Sequence, residues 1–131
     1  MSDTTNANDN VNTNNSILLS IKKLLGITPE YTIFDTDIII HINSVFTILN
    51  QLGIGPDEGY VITGANETWD DYVPKESRVR IESLKTFIYI KVKLVFDPPL
   101  SSVAVQNLKD TAAEYEWRLT NYERKDSAAQ E

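Results

Sequence analysis

The sequence predicts an all-α protein, a small bundle of about four helices. Apolar residues recur at helical spacing in four segments, at roughly 16–25, 36–52, 77–96 and 102–123. Serine, glycine and proline stand at the ends of these segments, where helices commonly begin and stop. Between the second and third segments, residues 53–76 hold four of the five glycines and predict a long loop.

The first predicted helix follows Ser16, whose hydroxyl suits an N-cap. It ends at Gly26, which suits the left-handed residue that often follows a helix. Pro29 prevents a simple continuation of this helix. We predict that Asp35 or Thr36 caps the second helix, so the residues between are interpreted as a linker.

The second predicted helix has an apolar face that stops before Gly53. The face consists of Ile38, Ile42, Val45, Phe46, Leu49 and Leu52. The β-branched run 38–40 favours a strand locally, but the length of the pattern and the Gly53 stop favour a helix. Ile39, Ile40 and Ile48 lie off this face, which predicts apolar neighbours on more than one side.

The stretch FIYIKVKLVFDPP, residues 87–99, is ambiguous by itself. Tyr89, Lys91 and Lys93 alternate with apolar residues, as on a half-buried strand. The apolar positions before and within the stretch nevertheless fit one helical stripe: Ile81, Leu84, Phe87, Ile88, Val92 and Val95. Because this stripe starts before the stretch does, we predict a helix. The residues at 97–99 should end it, since a residue before proline is pushed out of the α region.

The last predicted helix, capped by Ser101 or Ser102, has the most regular pattern. Its apolar residues are Val105, Leu108, Ala112, Tyr115, Leu119 and Tyr122, at heptad spacing, which predicts a seam against another helix. The polar tail 125–131 is predicted to fray. The asparagine-rich residues 1–15 are predicted to form an arm that is disordered or ordered by a partner. One helical domain, 16–124, lies between arm and tail.

The loop 53–76 is predicted to contain one extended piece at 60–62 and one helical turn at 69–73. Trp69 and Tyr72 are large aromatic residues that are costly to leave in water. We therefore expect these two rings to dock onto this chain or onto another one.

Charge and composition exclude several classes of protein. The net charge is −7, divided as −2 over 1–16, −3 over 17–60, zero over 61–97 and −2 over 98–131. No segment has the basic excess that is usual in proteins that bind DNA phosphates. The chain has no cysteine, so disulfides and thiolate zinc sites are excluded. The apolar runs are too short to span a membrane, and no export signal is visible.

No motif predicts catalysis, a metal site or a cofactor. His41 is the only histidine and lacks a set of metal ligands at helical spacing, so we interpret it as packed or half-exposed. The segment GIGPDEG lacks the lysine of a phosphate-binding loop. A basic stretch at 75–93 is interleaved with acidic residues, which is typical of a solvated helix face with internal ion pairs. We expect an interaction protein and not an enzyme.

Several phrases of the sequence match a known family pattern. The most specific are DTDIIIHINSVFTILNQLGIGP, the residues Lys91 to Pro99, and the triplet Glu116, Trp117 and Arg118. From about Ser16 to Leu119 the sequence resembles the head-to-tail connector (adaptor) proteins of long-tailed bacteriophages. Residues 1–15 lie outside the usual pattern.

The resemblance implies a virion structural protein made in the host bacterial cytoplasm and located in the neck. It implies an all-helical subunit that assembles as a ring of twelve copies beneath the portal. The ring would extend the DNA channel and carry the stopper, or head-completion protein, on its far side. Double-stranded DNA would pass through the lumen without sequence-specific binding. The resemblance implies no membrane association.

On this interpretation two surfaces are predicted to meet partners. The surface toward the next subunit or the stopper is formed by Tyr60, Trp69, Tyr72, Lys91 and Lys93. The surface toward the portal is formed by Tyr115, Arg118, Leu119, Tyr122 and Arg124, although a heptad seam could instead be the internal core. Lys91 and Lys93 lie about 200° apart on a helix, so we expect that helix to be shared between core and subunit boundary.

Two other functions are weighed against the connector ring. Another neck component, such as a stopper or tail terminator, would be richer in β-structure. A small DNA-binding regulator would use residues 75–93 and would bind duplex DNA in a salt-dependent way.

Overall fold

The structure, a computed structural model, describes residues 15–130, and the side chains of these residues as far as Asn121. It contains helices α1 (Ile17–Leu25), α2 (Asp35–Gln51), α3 (Trp69–Tyr72), α4 (Arg78–Phe96) and α5 (Ser102–Gln130). The prediction of an all-α bundle is confirmed. Within the described residues the only β-pairing is a single bridge between Ser16 and Thr68. The predicted arm at 1–15 lies, except for its last residue, outside the described part.

The predicted helix ends agree closely with the structure at most boundaries. Ser16 caps α1 by accepting a hydrogen bond from the Leu19 amide at 3.2 Å, and Gly26 follows α1 with a φ of +83°. Ser77 caps α4 in the same way, because its hydroxyl accepts from the Arg80 amide at 3.2 Å. The backbone of α5 continues to Gln130, beyond the predicted end at 123.

The prediction that Asp35 or Thr36 caps the second helix is wrong. Phe34 occupies the N-cap position of α2 and makes no side-chain capping bond. Asp35 lies in the first turn, where its carboxylate pairs with Lys22 of α1. Asp35 does not cap α2, because its side chain forms an ion pair with Lys22 of another helix instead.

Helix α4 lies at the centre of the bundle and contacts α1, α2 and α5. Its buried apolar residues are Leu84, Phe87, Ile88, Ile90 and Val92. These residues do not form a single stripe, because α4 has neighbours on several sides. The ambiguous alternation in FIYIKVKLVF is the sequence signature of this central position.

The apolar stripe predicted for α4 is wrong at its last member, Val95. This side chain is 63% exposed, whereas Ile90, which lies off the stripe, is 3% exposed. Helix α2 buries its predicted face, with Leu52 only half-buried at the end. In α5 the seam residues Ala112 and Leu119 are buried in the core that this helix forms with α4.

Candidate interaction surfaces

The long loop is held against α2 by the Asn43 side chain, which makes two hydrogen bonds with the backbone of one loop residue, as a neighbouring strand would. The Asn43 amide group donates to the Ile62 carbonyl at 3.0 Å and accepts from the Ile62 amide at 2.8 Å. Asn50, about two turns further along the same face of α2, donates to the carbonyl of Pro56 at 3.0 Å. Residues 60–62 belong to no helix or strand, and the backbone polar groups of Ile62 are satisfied by the Asn43 side chain instead.

Glu67 closes the tip of this loop. Its carboxylate accepts from the Thr63 amide at 2.7 Å, from the Thr63 hydroxyl at 2.9 Å and from the Gly64 amide at 3.3 Å. Partial burial acts to raise the pKa of Glu67, but the hydrogen bonds from Thr63 and Gly64 outweigh it, and the pKa is lowered. Glu67 therefore joins the two sides of the loop tip through three hydrogen bonds.

Trp69 and Tyr72 lie inside the subunit. They are 2% and 1% exposed, on the short helix α3 that the sequence predicted as a helical turn. The indole nitrogen of Trp69 donates to the Ser20 hydroxyl at 3.0 Å, and the ring of Tyr72 lies 4.5 Å from that of Phe46. Of the two expected docking modes, these rings adopt the one within the chain.

Tyr60 is the part of this aromatic cluster that reaches the surface. It is half-buried, with its ring 5.4 Å from that of Phe46 and 5.2 Å from that of Tyr72. Burial, with Asp71 and Glu67 nearby, raises the pKa of its hydroxyl. A shallow depression of about 310 Å³ beside it is also lined by Asn50 and Glu58, so this edge of the cluster is open to a partner.

The two lysines predicted at a subunit boundary lie in the C-terminal third of α4. Lys91 and Lys93 are both half-buried. The ammonium group of Lys93 donates to the Asp97 carbonyl at 3.1 Å and lies 3.5 Å from its carboxylate. Lys93 thus interacts with the last turn of its own helix.

The residues predicted to meet the portal divide between two faces of α5. Leu119 is 2% exposed and Tyr115 is half-buried against the core, so both belong to the internal seam. Arg118 is exposed and pairs with Glu114 one turn earlier. The side chains of Tyr122 and Arg124 lie outside the described part. The structure therefore does not bring the five residues together on one surface.

Sequence reasoning missed an aromatic patch formed by Tyr31, Phe34, His41 and Phe96. The ring centroids of Tyr31 and Phe34 are 5.9 Å apart, and Phe34 packs edge-on against Phe96 at 5.4 Å. The His41 ring lies 6.3 Å from that of Phe96. Tyr31 is 50% exposed, and Ile33 next to the patch is 71% exposed. The only signal in the sequence is the apolar content of YTIF in a segment interpreted as a linker.

A buried ion pair holds the linker that carries this aromatic patch. Lys22 is fully buried, and its ammonium group lies 2.8 Å from the Asp35 carboxylate. The same group donates to the Pro29 carbonyl at 3.1 Å. A buried cation is tolerated only when it is paired, so Lys22 fastens the middle of the linker and the start of α2 to α1.

The described residues offer no arrangement for metal chemistry. In the part of the chain that the structure describes, no three His, Asp or Glu residues lie close enough to hold an ion. His41, the one histidine, contacts an aromatic ring instead. No helix among residues 15–130 is long and apolar enough to cross a membrane.

Comparison with models of known protein families shows to which family the chain belongs. A family model described as phage connector protein matches residues 17–126, which is most of the sequence. The chain belongs to the phage connector protein family. Neither the search of curated proteins nor the search of solved structures found a match.

The family assignment gives the connector its general role. Members of this family are structural proteins of the phage neck, which oligomerise and interact with portal or tail components. The resemblance inferred from the sequence is thereby confirmed at the level of the family. The family is generally structural and non-enzymatic.

Proposed function

We propose that this connector forms a ring of twelve copies that docks directly beneath the portal. The ring extends the DNA channel and carries the stopper or the tail on its far side. The family match over residues 17–126 is the observation that carries this proposal. The chain acts as a structural component of the virion and performs no catalysis.

The architecture favours this adaptor role over other neck components. Stoppers and tail terminators are expected to be rich in strands, whereas residues 15–130 are helical apart from loops and one bridge. Circular dichroism of the purified protein should accordingly give a helical spectrum.

The charge distribution also supports a channel through which DNA slides. The net charge is −7, and affinity for DNA grows with the number of phosphates that a protein neutralises. Three of the six basic residues in the stretch 75–93 form ion pairs within the subunit, namely Arg80, Lys85 and Lys93. Arg80 pairs with Glu76 at 3.1 Å, and Lys85 pairs with Glu82 at 3.2 Å. A DNA-binding regulator that uses this stretch is disfavoured for this reason.

The surfaces proposed for partners are those that remain accessible. Tyr60 at the open edge of the loop, with Lys91 and Lys93 on α4, is proposed to meet the next subunit or the stopper. Arg118 on the outer face of α5 is proposed to meet the portal. Tyr72 supports the first surface from inside, because its ring lies 5.2 Å from that of Tyr60. Trp69 lies on the same short helix α3.

Binding to heads tests the proposal directly. DNA-filled heads that lack this protein should bind the purified connector in a fixed ratio of twelve per head, and tails should then attach to them. Heads whose portal has been blocked by an antibody provide the control. Binding to free tails but not to heads would contradict the proposed position.

A further inference from the structure

The exposed aromatic patch and an exposed tryptophan lie on different parts of the same subunit. The patch, formed by Tyr31, Phe34, His41 and Phe96, lies where the linker before α2 meets the end of α4. Trp117 lies on α5 and is 67% exposed. Tyr31 and Phe34 of the patch are 50% and 40% exposed, and exposed apolar side chains that lie together often mark an interaction site.

The patch is held in a fixed shape before anything binds to it. Lys22 fastens the linker through Asp35 and through the Pro29 carbonyl, at 2.8 and 3.1 Å. The Tyr31 amide donates to the Thr28 carbonyl at 3.2 Å, which adds a turn inside the linker. A preorganised apolar surface loses little entropy on binding, so it suits a docking site.

The subunit cannot cover its own patch with Trp117. Helix α5 begins at Ser102, only a few residues after Phe96 in the patch. Trp117 follows fifteen residues later, which places it roughly 22 Å along the helix axis at 1.5 Å per residue. The two surfaces therefore belong to different contacts of one molecule, as a heterologous ring interface requires.

The composition of the remaining chain favours a second copy as the occupant of the patch. Residues 1–14 contain only Met1, Ala7 and Val11 as apolar residues, and the tail after Arg124 contains only two alanines. Neither segment supplies an aromatic ring. Trp117 is the one exposed large aromatic side chain on the described part of α5, and rings pair well edge-to-face with other rings.

We propose that Trp117 of one connector subunit packs on the aromatic patch of the next subunit. The contact is heterologous, because each copy contributes its patch to one neighbour and its tryptophan to the other. Repeated around the neck, this contact closes the ring. The inference rests on the proposed ring and names the residues that join its members.

Cysteine cross-linking tests this contact, because the chain has no cysteine of its own. Ile33 lies beside the patch and is 71% exposed, and Ala113 lies exposed one turn before Trp117. Necks assembled from the double variant Ile33→Cys and Ala113→Cys should give a ladder of covalent multimers that ends at a closed ring. Each single variant should stay monomeric on a denaturing gel. The pair Val79→Cys and Ala113→Cys is the matched control, since Val79 is 79% exposed but belongs to neither proposed contact surface.

The outcomes separate this inference from the proposed function. Necks that hold the protein as a ring but give no ladder would overturn the contact and leave the connector ring standing. Covalent dimers of Ala113→Cys alone, or cross-links to the portal, would also overturn it. Absence of the protein from necks would overturn the ring and the contact together.

A substitution at the tryptophan gives an independent measurement. Trp117→Ala should reduce incorporation into necks by at least about tenfold, as truncation of an aromatic anchor does at other interfaces. Trp117→Phe should restore most of it. Val79→Ala, at a site that is 79% exposed, is the control and should change nothing. Normal incorporation of Trp117→Ala, with an unchanged helical spectrum, would contradict the proposal.

Discussion

Two glycines in the long loop offer a matched test of how tightly this loop packs. Gly53 and Gly55 both have a left-handed backbone, with φ of +83° and +89°. A methyl group added at Gly53 would meet no atom within 4 Å. One added at Gly55 would lie 2.6 Å from a ring carbon of Tyr72, which is 1% exposed and packed against Phe46.

The two alanine variants should therefore differ by the contact with Tyr72 alone. Gly53→Ala should lower the free energy of unfolding by about 1 kcal/mol, the usual cost of a left-handed alanine. Gly55→Ala carries the same backbone cost, and overpacking against the buried Tyr72 ring adds about 2 kcal/mol. Its total loss should be about 3 kcal/mol, a large part of the ~5–15 kcal/mol of a typical domain.

Urea unfolding measures this difference. Tryptophan fluorescence is a suitable signal, because Trp69 is buried in the same cluster and becomes exposed on unfolding. The midpoint of Gly55→Ala should fall well below that of Gly53→Ala. Equal losses for the two variants would mean that Tyr72 yields freely, and would refute the packing described for this loop.

Three other predictions concern side chains that hold the subunit together. Lys22→Ala should destabilise the fold by about 3 kcal/mol, because it strands the Asp35 carboxylate, whereas Lys23→Ala at the surface should stay within about 0.5 kcal/mol in the same urea assay. Trp69→Phe should lower the free energy of unfolding by about 1–2 kcal/mol, because it removes the hydrogen bond to Ser20, while Trp117→Phe should leave the stability of the free subunit unchanged. Equal effects of the two substitutions would contradict the hydrogen bond between the buried Trp69 indole and Ser20. Because the pKa of Glu67 is lowered below its ordinary value of 4.5, its contribution to stability is complete above that value and is lost as the pH falls through the lowered pKa. Unfolding midpoints measured between neutral and acidic pH should therefore fall less steeply for Glu67→Gln, and identical slopes would argue against the loop-tip hydrogen bonds.

Local patterns predicted the four long helices because each has its own apolar face, and several also have a clear start or stop signal. Ser16 and Ser77 cap their helices independently of tertiary contacts, since each hydroxyl accepts a hydrogen bond from the amide only three residues later. The face of α2 and the seam of α5 were also readable, because burial follows the helical period. The short helix α3 was visible as a turn around two aromatic residues.

The surfaces could not be predicted in the same way, because tertiary contacts create them. Phe34 and Phe96 are distant in the sequence and form a patch only when the start of α2 meets the end of α4. Lys22 is a surface residue by type, yet it is fully buried because Asp35 and Pro29 surround it. Spacing within one segment also could not tell whether Trp69 would dock onto this chain or onto another.

A cryo-electron map of the intact neck tests the central claim most directly. The connector should be found as a ring of twelve helical subunits in contact with the portal, with the DNA channel running through its centre. Location of this chain anywhere other than directly beneath the portal would contradict the proposed function.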